Sequence, residues 1–160
     1  HGAVHEPVKQ ELTNQLNRML VDNDVAASII PYDNLLDLII ATPKFNRLAV
    51  NQVGQKLGAD VILYVRVDKF SVKDDDISPL WHGQLEATVR VVDARTSDPV
   101  EVRMWPKDVP EGHRVEPVEI PPETNSSPGF GDALSRKMAG QMADRIAKFF
   151  YEHEESQESR

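Results

Sequence analysis

The strand that decides the fold lies in Leu85–Val91, whose sequence is LEATVRV. Apolar and polar residues alternate there without a break, and this period of two predicts a β-strand with one buried face. Turn-forming residues follow in Asp93–Pro99, and a second alternating run occupies Val100–Met104. Two alternating runs joined by a turn predict an antiparallel hairpin.

Three further strands are predicted outside this hairpin. Val61–Phe70 is rich in β-branched and aromatic residues, which favours a strand. Val25–Ile30 is a short apolar run that ends at Pro31, and it too predicts a buried strand. Val115–Ile120 predicts an edge strand. A mixed sheet follows from these segments.

Helices are predicted before, between and after the strands along the chain, because apolar residues recur there at three- and four-residue steps. The predicted N-cap of the second helix is Asp33, and Gly58 is the predicted left-handed cap that ends the third. The final helix has a wide apolar stripe that includes three alanines. The four predicted helices are Pro7–Asp22, Asp33–Ile40, Asn46–Leu57 and Leu134–Phe150.

The predicted fold class is therefore α/β in the α+β sense, a mixed sheet with helices packed on it and an amphipathic C-terminal helix. We expect one domain over residues 1–155, followed by a disordered polar tail over 156–160. Seven of the 11 prolines lie between Pro99 and Pro128, which excludes regular helix there. Residues 106–131 are accordingly predicted to form a proline-rich loop.

Composition excludes several classes of function. The chain of 160 residues has 18 Lys and Arg against 26 Asp and Glu, a net charge of −8, which argues against binding to nucleic acid or to anionic lipid. It has no cysteine, so thiol catalysis and cysteine-ligated metals are excluded. No apolar run approaches the length of about 18 residues that a membrane span needs.

Asp74–Asp76 is the strongest candidate for metal chemistry, with His82 as a nearby candidate base. The spacing of an EF-hand is missing, because neither the glycine nor the glutamate of that loop follows at the required distance. Three aspartates between strands also suit a solvated turn. The sequence predicts no catalytic residue set, no cofactor and no metal, and a metal-dependent hydrolase that uses Asp74–Asp76 with His82 remains the alternative.

Aromatic residues are the better candidates for a binding site. Trp81 and Trp105 flank the predicted hairpin and Phe130 lies in the proline-rich segment. Exposed tryptophans are frequent anchors of protein interfaces, which favours a partner-binding role for Trp81, Trp105 and Phe130. The other interpretation is that the two tryptophans cap the sheet against the final helix.

Three stretches of the chain together resemble a known group of proteins. They are ASIIPYDNLL at Ala27–Leu36, VGQKLGADVILYVRV at Val53–Val67, and LEATVRVVDART at Leu85–Thr96. This pattern resembles the envelope lipoproteins related to the curli secretion component, the penicillin-binding-protein activator lipoproteins and the amino-terminal domain of TolB. The resemblance implies a TolB amino-terminal-domain-like fold.

The resemblance also implies a non-enzymatic periplasmic module that is tethered to a membrane by a lipidated cysteine upstream of His1. We therefore expect a protein-binding or assembly module of the bacterial cell envelope, whose partner is another envelope protein. A third expectation is an oligomeric structural part, since related secretion proteins assemble into rings.

Overall fold

The computed structural model describes residues 2–26, 29–75, 77–95, 100–109 and 111–158, and within 2–6 and 152–158 it describes the backbone alone. In this part of the chain, four α-helices accompany one antiparallel sheet of five strands, which confirms the α+β class. No helix in the same residues is both long and apolar enough to cross a membrane. The elements are α1 (Gly2–Asp22), α2 (Tyr32–Ala41), α3 (Val50–Leu57), β1 (Val61–Ser71), β2 (Leu80–Asp93), β3 (Val102–Trp105), β4 (His113–Arg114), β5 (Val118–Thr124) and α4 (Phe130–Glu158).

The 14-residue strand β2 organises the sheet because it pairs with every other strand. One neighbour of β2 is β1. From its first residue to its last, β2 also forms antiparallel pairs with β5, then with β4 and then with β3. The predicted hairpin is confirmed, since Val91 lies opposite Trp105 and Asp93 lies opposite Val102.

The described chain forms two compact units. Unit 1 consists of His1–Ile29, Val67–Ala87 and Val115–Arg160. In it α1 packs against α4, and both helices bury the apolar stripes that the sequence predicted. The buried residues of the two stripes are Val8, Leu12, Leu16, Leu20, Leu134, Met138, Ala139, Met142, Ala143, Ile146 and Ala147.

Unit 2 consists of Ile30–Arg66 and Thr88–Arg114. Its buried side chains come mainly from β2 and the residue that follows it, namely Val89, Val92 and Ala94. Gly54 of α3 packs directly on this layer, because a Cβ at that position would lie 2.6 Å from the Cβ of Ala94.

The predicted strand at Val25–Ile30 is wrong in the part that the structure describes. The N–H groups of Val25 and Ala26 donate to the carbonyl of Leu20 at 2.9 and 3.3 Å, so they end α1 instead of joining a sheet. Asp24, with φ of 57°, supplies the left-handed residue that such a helix end requires. Ala27 and Ser28 lie outside the described residues.

Two helix starts also differ from the prediction. Pro31 precedes α2 and Asp33 lies inside its first turn, where a carboxylate favours the positive end of the helix dipole without a capping hydrogen bond. The predicted third helix begins as a separate 3-10 turn at Phe45–Arg47, and α3 itself starts at Val50. The left-handed cap at Gly58 is confirmed, with φ of 78°.

The segment 106–131, predicted as a loop, contains β4, β5 and the first residues of α4. Pro121 and Pro122 lie within β5, and prolines are tolerated there because β5 pairs with β2 alone and an unpaired edge needs no N–H donor. The helix α4 continues through Glu158 where a polar tail was expected, while residues 159 and 160 lie outside the described residues. The single domain over 1–155 stays a prediction.

Candidate functional site

Trp81 lies in unit 1 near the start of β2, where it is held on several sides. Its ring meets Phe130 edge-on, with centroids 5.4 Å apart and an interplanar angle of 60°. Its Nε1 donates to the carbonyl of Asn125 at 2.8 Å. The structure thus brings Trp81 and Phe130 together, and the pair attaches the start of α4 to the sheet. The sequence allowed two roles for Trp81, partner binding and packing against the final helix, and this contact is of the second kind.

Two neighbours complete the environment of Trp81. Gly131 leaves room for the indole, since a Cβ there would lie 3.1 Å from a ring carbon of Trp81. The ammonium of Lys73 lies 4.3 Å from the ring centroid, within the range of a cation–π interaction. The indole is therefore half-buried and oriented by four contacts.

Trp105 belongs to unit 2, where it ends β3. Its ring centroid lies 5.5 Å from that of His113, on β4. The exposed residues of β3 are Val102 and Met104, so Trp105, which is half-buried, alternates with them along the strand.

His82, in unit 1, contacts two carboxylates. Its Nδ1 lies 2.7 Å from Oδ1 of Asp74, and its Nε2 lies 3.0 Å from Oε1 of Glu119. The His82 side chain is 13% exposed, whereas Asp74 and Glu119 are 60% and 64% exposed. The hydrogen bond to Glu119, followed by the one to Asp74, raises the pKa of His82 above 6.5.

The geometry of this cluster limits its chemistry. Ionised carboxylates only accept hydrogen bonds, so both contacts are made together only when both ring nitrogens carry protons. The imidazolium then joins Asp74, in the β1–β2 connection, and Glu119, on β5, to β2. A general base needs an unprotonated nitrogen within reach of its substrate, and this arrangement occupies both nitrogens.

The same arrangement bears on metal binding. Asp74 and Glu119 contact opposite nitrogens of the ring of His82, so their oxygens do not converge on one point. Among the described residues no group of three His, Asp or Glu side chains is placed to hold a metal ion. Asp75 accepts a hydrogen bond from the N–H of Ile77 at 3.0 Å, as in an aspartate-stabilised turn. Asp76 lies outside the described residues.

Unit 2 carries several exposed apolar side chains. None of the ten residues of α2 is buried, although half of them are Leu or Ile. Ile40 is 84% exposed and Val100, just before β3, is 72% exposed. Among the described residues of unit 2, the exposed large apolar side chains are Ile39, Ile40, Val61, Val100, Val102, Met104 and Val109.

A bidentate ion pair joins the two strands of the hairpin that carries part of this surface. The guanidinium of Arg90 contacts the carboxylate of Glu101 through two hydrogen bonds, at 2.8 and 2.9 Å. The same guanidinium lies 4.2 Å from the ring centroid of Tyr64. Bidentate pairing and stacking together restrict the orientation of an arginine, so the start of β3 is held against β2.

Sequence reasoning missed two of these features. Glu119 was placed in the predicted edge strand Val115–Ile120, but its position beside His82 depends on strand register. The exposure of α2 did have a signal, because its apolar residues are nearly consecutive. Apolar residues on all sides of a helix cannot all be covered by packing on one side.

Comparison with known proteins adds one structural neighbour. No protein-family model and no curated protein matches the chain. A crystal structure of a protein from Caulobacter crescentus, provisionally described as a lipoprotein, aligns with 66% of this chain and 80% of its own. The identity is 15% and the TM-score is 0.37, so the fold assignment rests on the helices and strands themselves.

Proposed function

We propose that this chain is a protein-binding or assembly module of a bacterial envelope lipoprotein, and that unit 2 carries the binding surface. The observation that supports the proposal is the exposure of α2, of which no residue is buried. Exposed apolar residues that occur singly are normal, whereas contiguous ones are typical of interaction sites. The proposed partner is another envelope protein.

Burial explains why such a surface would bind a protein. Covering apolar area contributes about 25 cal/mol for each Å² removed from water, and interface centres are depleted in charge. On α2 the neighbouring residues Ile39 and Ile40 offer such area, and on β3 Val102 and Met104 do so. A partner with an apolar groove or helix face would match them.

The envelope location is supported by the sequence resemblance over Ala27–Leu36, Val53–Val67 and Leu85–Thr96. It implies periplasmic placement and a lipidated cysteine upstream of His1. The test is incorporation of labelled palmitate into the native full-length precursor, followed by membrane fractionation. Label in the membrane fraction would support the proposal, and an unlabelled protein in the cytoplasm would overturn this part of it.

The binding surface is tested by site-specific cross-linking in envelope fractions. A photo-reactive phenylalanine analogue at position 40 should give a discrete adduct with a partner protein. Position 21 is the control, because Val21 on α1 is an exposed apolar residue of unit 1 that belongs to neither proposed contact. Equal adducts from both positions, or none from position 40, would contradict the proposed surface.

Trp105 is proposed as part of the same partner-binding unit, and Trp81 with Phe130 as a second contact in unit 1. Trp105→Ala should leave the protein folded and weaken partner capture. Capture at the wild-type level would remove Trp105 from the site. Trp81→Ala is less suited to this test, because Trp81 also packs on Phe130 and Gly131.

A metal-dependent hydrolase that uses Asp74–Asp76 with His82 remains the alternative, and it would require His82 to release Asp74 or Glu119, which occupy its two ring nitrogens. A ligand that binds only the native state raises its thermal stability. The alternative predicts a higher Tm when Mg²⁺, Ca²⁺ or Zn²⁺ is added, and Asp74→Asn should abolish the increase. An unchanged Tm with all three ions would contradict it.

A further inference from the structure

A groove on the surface of unit 1 lies between α1 and α4. Its volume is about 600 Å³, and it is lined by Gln15 of α1 and by residues of α4 from Arg136 to Arg145. Gly140 also lines it, and an added Cβ there would lie 3.9 Å from Nε2 of Gln15. We call this feature the α4 groove.

The α4 groove is cationic in a protein whose net charge is −8. Arg136, Lys137 and Arg145 line it against one carboxylate, that of Asp144, which Lys148 contacts at 3.0 Å. Arg136 and Lys137 are exposed, and within the described ranges neither has a carboxylate closer than 4 Å. Arg145 instead donates to the carbonyls of Glu116 and Pro117. The groove therefore offers the positive charge of Arg136 and Lys137 to an acidic segment.

The end of α4 is the most acidic segment of helix in the chain. The stretch Glu152–Glu158 contains four glutamates, and its backbone is helical throughout. The last turn has no basic residue. Negative charge at the carboxyl end of a helix opposes the helix dipole, so cations supplied from outside this helix would stabilise it.

The acidic end cannot reach the groove of its own chain. Because α4 is one continuous helix from Phe130 to Glu158, a rise of about 1.5 Å per residue places Glu154 about 20 Å from Gly140. An occupant with this sequence must therefore come from another molecule.

We propose that the α4 groove binds Glu152–Glu158 of a second copy of the chain, in an antiparallel pair of α4 helices. In a twofold arrangement each copy contributes the same two patches, so one contact between unlike charges is made twice. A twofold axis between Arg145 and Ile146 sets positions 136 and 137 of each copy opposite positions 155 and 154 of the other. This surface lies in unit 1 and does not depend on the proposed function of α2.

Sedimentation equilibrium tests the pair through its charge. At about 50 mM salt the wild-type chain should form a dimer, and at about 0.5 M salt its apparent dissociation constant should rise at least tenfold, because salt screens exposed charges. Arg136→Glu with Lys137→Glu should give a monomer at low salt. The matched control is Arg47→Glu with Lys56→Glu, which makes the same charge change at two exposed residues of unit 2 and should remain dimeric.

Reversing the charges on both segments distinguishes the loss of this contact from a general loss of stability. Glu154→Lys with Glu155→Lys should also give a monomer, and the variant with all four reversals should recover the dimer. A monomeric wild-type chain at low salt would overturn the proposal. A dimer that survives Glu154→Lys with Glu155→Lys would overturn it too, since another segment would then occupy the groove.

Discussion

His82 donates from both ring nitrogens only when it is protonated, because its partners Asp74 and Glu119 are both acceptors. Its pKa is raised above 6.5, first by the hydrogen bond to Glu119. These two hydrogen bonds stabilise the folded protein fully at pH values below about 6.5, where His82 is protonated in both the native and the unfolded state. Their contribution is lost as the pH rises through the raised pKa of His82 in the native state.

We therefore expect the free energy of unfolding of the wild type to fall as the pH rises from about 6.5 through the raised pKa of His82, and that of His82→Gln to fall less. Denaturant unfolding at a series of pH values measures both, and NMR titration reports the His82 pKa directly. Glu119→Gln should move that pKa toward its ordinary value. Glu123→Gln, on the same strand but without a contact to His82, is the control. An unshifted His82 pKa in the wild type would refute the cluster.

Gly54 gives a second prediction at the scale of one residue. Alanine improves helix propensity by about 1 kcal/mol, but overpacking a core costs about 1–3 kcal/mol. The new Cβ would lie 2.6 Å from both the Cβ of Ala94 and the Cδ1 of Ile62, and the first atom has no freedom to rotate away. We expect the cost of overpacking to exceed the gain in helix propensity, so Gly54→Ala should lower the free energy of unfolding measured by chemical denaturation.

Gly140→Ala is the matched control for this substitution. It is also a glycine inside a helix, but its added Cβ would have nothing nearer than 3.9 Å. We expect it to leave stability unchanged or to raise it by up to about 1 kcal/mol. Equal effects of the two substitutions would show that the packing of α3 on β1 and on Ala94 differs from that described.

At the scale of elements, the turn that follows β2 depends on Asp93. Its carboxylate accepts hydrogen bonds from the side chain and the backbone N–H of Arg95. The guanidinium bond is the larger cause, and together they lower the pKa of Asp93 to about 2. A lowered carboxylate pKa stabilises the protein above the unfolded value of 3.8, and the stabilisation is lost as the pH falls through about 2.

Asp93→Asn should therefore lower the stability at neutral pH and reduce the loss between about pH 4 and pH 2. Unfolding curves over that range, with Asp108→Asn as an exposed carboxylate control in the same unit, measure the effect. If both substitutions gave the pH profile of the wild type, the contact of Asp93 with Arg95 would have no role in holding the end of β2.

At the scale of the whole molecule, the two proposed surfaces should be separable by mutation. Ile39→Gln with Val102→Gln should weaken the partner adduct formed from position 40 and leave the dimer intact, because both residues belong to unit 2. Arg136→Glu with Lys137→Glu should do the reverse. Cross-linking measures the partner adduct and sedimentation measures the dimer, and both are applied to the same two variants. Loss of both properties in either variant would mean that the surfaces are not independent.

The sequence by itself determined the elements whose pattern is local. The apolar stripes of α1 and α4, the strand β1, the hairpin of β2 with β3 and the left-handed cap at Gly58 were all predicted from spacing or residue type. Each depends on residues a few positions apart, which is why periodicity and turn chemistry reveal them. The failed strand at Val25–Ile30 is also local, since its N–H groups end α1.

Only the tertiary structure decided which distant residues meet. Glu119 reaches His82, 37 residues away, because β5 pairs with β2 in one register, and a shift of one residue would turn its side chain to the other face. The exposure of α2 and the groove on α4 likewise depend on which neighbouring elements cover each helix. Local sequence sets the shape of each element, whereas long-range packing decides which of its faces remain open.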